Sequence, residues 1–224
     1  MRPKHLAIKL SKLHPHPCLD VQLEQYATEG DLASYWMLAV DQLDELDGKT
    51  VLDLGAGNGV LGIACLLLGA KHVHFVECDE DALEVLRTNL ESTSNEESWT
   101  IHPTRIGTDD WTIPETDLIV MNPPWGVQMA RADRPFIEAA LSTQCAAIHL
   151  LHSRGSKHIG GMVRDAGWKY EHVIATTFRL PALYGHHSKR SSDTEVLCWR
   201  IHRRGDARLP TEEEYEYLSN LGDW

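Results

Sequence analysis

The sequence predicts an α/β fold: a mostly parallel sheet layered between helices and finished by an antiparallel hairpin. Three observations carry that prediction. Short apolar runs alternate with helix-period runs between residues 51 and 167, the pattern of repeated strand–helix crossovers. The run Val51–Leu54 leads straight into three glycines at alternate positions and then an apolar helix, a turn that lets a ligand lie against bare backbone. The last two apolar runs are joined by a polar loop with no helix between them, so they pair antiparallel.

The elements follow in order. Residues 1–18 carry Leu6, Leu10 and Leu13 at helical spacing and end at the turn His14-Pro-His-Pro17. Gly30–Leu46 reads as a helix with Leu32, Trp36, Ala39, Val40 and Leu43 on one side, so residues 1–47 form a helical cap over the ligand pocket. The core, 48–204, reads as strand 51–54, helix 60–68, strand 72–77, helix 79–91, edge strand 99–104, strand 117–121, helix 134–143, strand 145–151 and helix 156–166. Strands Tyr170–Leu180 and Glu195–His202 complete a seven-stranded, Rossmann-like sheet. The acidic tail, 205–224, holds the capping box Thr211-Glu-Glu-Glu214 and then Tyr215, Leu218 and Leu221, a surface helix folding back on its own domain. We read 1–224 as a single domain, long enough to bury ~70% of its unfolded surface.

Composition narrows the class. The longest apolar stretch, Val60–Ala70, contains glycines and falls far short of the ~20 residues that span a bilayer. The start, Met-Arg-Pro-Lys-His-Leu, lacks a signal-peptide apolar region. Five cysteines without a Cys-x-x-Cys argue against a disulfide framework and favour a reducing compartment, cytosol or nucleus. The net charge of −12 runs against a nucleic-acid ligand, yet the acids gather at 91–97 and 212–216 while His186, His187, Lys189 and Arg190 form a locally basic loop. By charge alone that loop is a solvated surface. His14/His16 and His72/His74 lack a third ligand nearby in sequence and read as turn or packing residues, with no metal site.

Two places carry chemistry. Gly55, Gly57 and Gly59 form the glycine turn after Asp53, and the following strand ends in Glu77, 18 residues after Gly59. There a Rossmann-like sheet puts the carboxylate that binds ribose hydroxyls. Glu77 also reads as a helix N-terminal charge beside the N-cap Asp79. The strand 117–121 runs into Asn122-Pro123-Pro124-Trp125. Two prolines fix φ and remove two donors, so the carbonyls of Asn122 and Pro123 and the Asn122 side-chain oxygen become acceptors for an exocyclic amine. Trp125 offers a face for a planar base, a stack worth ~1–3 kcal/mol. Pro-Pro-Trp alone would read as a turn with a core tryptophan.

These motifs resemble the class I S-adenosylmethionine-dependent N6-adenine methyltransferases. The flanking Leu23-Glu-Gln25-Tyr-Ala-Thr28, Asp79-Glu-Asp-Ala-Leu-Glu84 and Leu180-Pro-Ala-Leu-Tyr184 look like the methyltransferase-like protein 5 family, which modifies small-subunit ribosomal RNA. The resemblance implies cofactor contacts at Gln25, Thr28, Asp53, Gly55, Gly57, Gly59, Glu77 and Asn122, and target-base contacts at Asn122, Pro123, Pro124 and Trp125. It also implies a small zinc-binding activator subunit as partner, for which the predicted edge strand Trp99–His102 is the candidate docking edge; the basic loop with His186, His187, Lys189 and Arg190 is the candidate RNA contact. The chain departs from the family in Glu77 for Asp, in Trp125 for Phe, and in an acid missing from Ile101–Ile106 where the cofactor adenine is held. Asp109, Asp110 or a backbone amide is the expected replacement. The alternatives are methylation of a protein glutamine or of tRNA or DNA adenine, and a silent scaffold that kept the fold.

Overall fold

The computed structural model describes residues 1–17, 28–126, 129–181 and 191–203. Gln25, the loop with His186, His187, Lys189 and Arg190, and the predicted tail helix lie outside them. The order is α1 (Pro3–Leu10), α2 (Gly30–Asp44), β1 (Thr50–Leu54), α3 (Val60–Leu67), β2 (His72–Glu77), α4 (Glu80–Thr93), β3 (Trp99–Pro103), β4 (Leu118–Met121), α5 (Arg134–Leu141), β5 (Ala147–Ser153), α6 (Lys157–Asp165), β6 (Lys169–Pro181) and β7 (Ser191–His202).

All seven strands join one sheet in the order β3-β2-β1-β4-β5-β7-β6. The first five are parallel, and β7 pairs antiparallel with both β5 and β6. Helices cover both faces, so the central strands are apolar on both sides. Val51, Leu118 and Val120 join Trp36, Met37, Ile63 and Phe75 on one face. Their neighbours Leu52, Leu54, Ile119 and Met121 meet Ile137, Ile159, Val163 and Trp199 on the other.

Several boundaries differ from the sequence reading by one to four residues, and two of them matter here. Strand β5 runs on to Ser153, because β7 pairs with it as far as Ser153↔Val196; this carries His152 to the end of the strand. Strand β7 starts at Ser191, where the polar run Ser191-Ser-Asp-Thr gives no apolar signal and the backbone ladder to β6 alone holds it extended. The His72/His74 pair acquires His102 from the neighbouring strand, with His74 Nδ1 and His102 Nε2 3.1 Å apart.

The amino-terminal helices are tied to the sheet at two points. Asn89 of α4, fully buried, accepts from His14 N (2.8 Å) and donates to His14 O and Asn58 O. Asn58 Nδ2 also donates to His14 O (3.0 Å), so one clip joins the amino-terminal segment, the glycine loop and α4. At the other end, Arg200 of β7 donates bidentately to Asp44, the last residue of α2, at 2.8 and 2.7 Å, and to Glu171 of β6 at 2.6 Å. His149 Nε2 lies 2.8 Å from the same Asp44.

Burial would raise the Asp44 carboxyl, but hydrogen bonds from Arg200 and His149 override it and hold the group well below the usual carboxylate range. A depressed folded pKa gives stability that is present above the unfolded value of ~3.9 and lost as pH falls through the folded one. Arg200→Met strands two buried carboxylates, so urea unfolding near neutral pH should show a loss of ~3–5 kcal/mol. The loss should shrink in acid, at about pH 3, and an equal deficit at both pH values would refute the network's role.

Candidate active site

The sheet order reverses between β1 and β4, and a cleft opens at the carboxyl ends of those strands, where ligands bind in open α/β sheets. The cavity there measures about 320 Å³, within the range of small-molecule sites. Its floor is Gly55, Ala56 and Gly57; one wall carries Glu77 and Cys78, and Thr28, Asn122 and Pro124 close one end.

The glycine loop is shaped by contact as much as by freedom. Gly55, Gly57 and Gly59 have φ of 75°, 54° and 85°, in the left-handed region that glycine enters without steric cost. A Cβ on Gly55 would meet Phe136 Cε1 at 3.0 Å, and one on Gly59 would meet Leu86 Cδ1 at 2.5 Å. Gly59 is therefore a packing and capping residue behind the loop, and it is Gly55 and Gly57 that face the cavity. Glu77 fixes the loop from across the sheet. Its Oε2 accepts from Gly57 N at 2.8 Å, and Oε1 accepts from Cys78 N and Asp79 N at 2.8 and 3.0 Å. A carboxylate has about four lone-pair sites, so acceptor capacity remains for a ligand diol.

Asp53 differs from the expectation of a direct cofactor contact. Residues alternate along β1, and this alternation turns Asp53 under the loop, 1% exposed and off the cavity wall. There its Oδ2 accepts from Gly62 N at 2.8 Å. Gly62 permits this approach, since a Cβ there would meet Phe75 Cε1 at 2.3 Å.

At the other end, the Asn122 side chain is held from both sides. Its Nδ2 donates to Thr28 Oγ1 at 3.0 Å, and its Oδ1 accepts from Trp125 Nε1 at 3.1 Å. Trp125 is only 7% exposed and belongs to the core, with its ring 5.9 Å from that of His152. The open stacking face expected for it is thus turned inward, because its N–H finds a partner in Asn122 and its ring an apolar seat. Pro123 is buried as well, and Pro124 reaches the cavity.

The wall expected to carry an acid is built from Thr104, Arg105, Ile106 and Thr108. Asp109 does not substitute there, because its Oδ2 accepts from Arg105 N at 2.7 Å and folds the turn back on itself; Asp110 is also off the wall. His16, expected as a turn or packing residue, lines the cavity with its Cδ2 2.7 Å from where a Gly57 Cβ would stand. The sequence signal for it was the Pro-flanked turn that stops α1, which fixes a location without saying what the side chain meets.

The residues fit S-adenosylmethionine. Glu77 supplies acceptors for ribose hydroxyls, Val76, Ile106 and Phe136 supply apolar surface for a base, and Thr28 and Asn122 supply polar groups at the far end.

Burial raises the Asp53 carboxyl to about 7 against the Gly62 N–H that favours its charged form, and the charge of Glu77 adds to the rise. A raised folded pKa gives stability that is complete below the unfolded value of ~3.9 and is lost as pH climbs through about 7. Asp53→Asn removes that dependence, so its melting temperature relative to wild type should improve between about pH 5 and about pH 8. A constant difference would mean that Asp53 is charged throughout.

The model of the methyltransferase small domain family matches residues 27–187. The uncharacterized protein MJ0284 of Methanocaldococcus jannaschii is 30% identical over 92% of this chain and 96% of its own length. The rRNA N(6)-adenosine-methyltransferase METTL5 of Danio rerio is 30% identical over 79% of this chain and 86% of its own. Among solved structures, Pyrococcus horikoshii PH1948, named as a candidate RNA methyltransferase, aligns with a TM-score of 0.81 at 33% identity, covering 90% of this chain and 98% of that one. With a site fitted to the cofactor and a family match that runs from residue 27 through β1–β6, this chain belongs to the methyltransferase small domain family and is an S-adenosylmethionine-dependent methyltransferase.

Proposed function

We propose that the chain methylates the exocyclic N6 of an adenine in RNA, with small-subunit ribosomal RNA as the substrate. The observation that carries this reading is the Asn122 amide, pinned between Thr28 and Trp125 at the end of the cofactor cavity, in a chain similar to proteins named rRNA N(6)-adenosine-methyltransferase.

The N6 lone pair is conjugated with the ring and is a poor nucleophile. In our reading, the Asn122 Oδ1, which accepts one bond from Trp125 and retains a second lone pair, and the Pro123 carbonyl accept the two N6 hydrogens. This favours a pyramidal nitrogen and aims its lone pair along the line of transfer. The cofactor supplies an electrophilic methyl carbon on a sulfonium. Held by Glu77 and the glycine loop, the cofactor would give its methyl group to N6 and depart as a neutral thioether, and the extra N6 proton would pass to water without a general base. The Thr28 hydroxyl orients the Asn122 amide, and Trp125 sets it from behind. The adenine must leave its stack, so a single-stranded or distorted site is expected.

Three further assignments belong to this reading. Gln25 joins Thr28 in the cofactor site. His186, His187, Lys189 and Arg190 contact the RNA. A small zinc-binding activator subunit pairs with β3, which stands at one end of the described sheet. The four described cysteines are free thiols, which suits an enzyme of the cytosol or nucleus; no described helix is long and apolar enough to cross a membrane.

Incubation of the chain, with and without such an activator, with radiolabelled S-adenosylmethionine and total RNA or protein should place label as N6-methyladenosine in small-subunit ribosomal RNA. Label in protein glutamine would overturn the assignment. Asn122→Ala should keep cofactor affinity within ~3-fold while turnover falls ~10²-fold or more; undiminished turnover would remove Asn122 from the chemistry. Glu77→Ala should instead weaken cofactor binding, by ~10–100-fold in calorimetry, since charge-assisted hydrogen bonds are worth ~1.5–3 kcal/mol.

A further inference from the structure

Behind the Asn122–Trp125 turn, away from the cofactor cavity, three potential ligand atoms meet. Asp133 Oδ2 lies 3.1 Å from His152 Nε2 and 2.5 Å from His158 Nε2, and one donor atom of each residue lies within 4.8 Å of the others. Each comes from a different element: Asp133 precedes α5, His152 ends the buried part of β5, and His158 stands in the first turn of α6. The side chains of Asp133 and His152 are almost wholly buried, whereas that of His158 is 50% exposed.

Two imidazoles and one carboxylate make a donor set for borderline divalent ions, and the exposed flank at His158 leaves room for water as a further ligand. The surroundings of His152 supply the outer shell such a site needs. Its Nδ1 lies 2.5 Å from Ser156 Oγ, which is 2.8 Å from Ser153 Oγ. In the His152 tautomer that donates Nδ1–H to Ser156 Oγ, the Nε2 lone pair faces the Asp133 carboxylate and a cation between them satisfies both; in the other tautomer Nε2–H donates to Asp133. Ligands ~2.0–2.2 Å from a tetrahedral ion stand ~3.3–3.6 Å apart. The Asp133–His152 spacing is close to that, and His158, the exposed member, is the one that must swing outward.

We propose that Asp133, His152 and His158 form a divalent-metal site, suited to Zn²⁺, that clamps α5, β5 and α6 together behind the Asn122–Trp125 turn. His152 packs its ring near Trp125, so the clamp fixes the seat of the residue that holds Asn122. The role is positional, because neither the ion nor its ligands lie on the cofactor cavity wall.

The test uses the full, tag-free chain stripped of metal with a chelator and titrated with ZnCl₂ in a calorimeter. One equivalent should bind, the melting temperature should rise, and X-ray absorption should report nitrogen and oxygen neighbours only. His158→Ala, at a half-exposed position that leaves the fold intact, should weaken binding by at least ~10-fold while cofactor affinity is unchanged. Asp133→Asn should do the same, provided its melting temperature without metal stays near wild type. Absence of Zn²⁺ binding to wild type, equal affinity in His158→Ala, or sulfur in the absorption spectrum would overturn the proposal. The first two results would leave the cluster as imidazole–carboxylate hydrogen bonds, and the third would move the ion to a cysteine.

Discussion

The structure depends on the reversal of strand order between β1 and β4. Both strands lie in the middle of the sheet and are buried on both faces, so apolar packing from both sides fixes their positions. At the reversal the crossover helices leave to opposite faces, and nothing in the sheet itself fills the gap at the strand ends. The glycine turn after β1 and the Asn-Pro-Pro-Trp turn after β4 are brought face to face across that gap. Glu77 from β2 and Thr28 before α2 complete the cleft between the two turns.

The turns are then immobilised by polar groups working from behind. Glu77 occupies three backbone donors of the loop and helix start, and Asn89 satisfies the amino-terminal segment and the loop together. Thr28, Asn122 and Trp125 form a chain of hydrogen bonds that links the entry to α2 with the end of β4. Each bond contributes only ~0.5–1.5 kcal/mol net. Their larger effect is on geometry, because a transfer reaction tolerates little misplacement of the nitrogen and the methyl carbon. The His152 ring, bonded to Asp133, packs behind Trp125 one layer deeper, so the Asn122 amide is backed by the packed core rather than by a free loop.

The electrostatics of the two ends differ in purpose. The Asp44–Arg200–Glu171 cluster is buried and remote from the cavity; it joins α2 to the antiparallel strands. Asp53 sits directly under the cavity and is driven toward neutrality by burial. One group stores stability that acid removes, and the other gives up stability as the solution becomes alkaline.

What the sequence determined by itself was local. Alternation of apolar runs dictated the seven strands, the spacing of Gly55, Gly57 and Gly59 required a left-handed turn, and Glu77 and Asn122 stood at strand ends where such sheets bind ligands. Those features depend on neighbours within a few residues, so periodicity and turn chemistry reveal them. The tertiary structure alone decided which way side chains face and which distant residues meet. It turned Asp53 under the loop and Trp125 into the core, replaced the expected acid with Thr104 and Arg105, and brought His16 over Gly57. It also assembled Asp133, His152 and His158, up to 25 residues apart in sequence, and Asn89 with His14, 75 apart. The reason is physical: strand pairing and helix crossing fix those encounters, and their energy resides in contacts between segments, of which no single segment carries a trace.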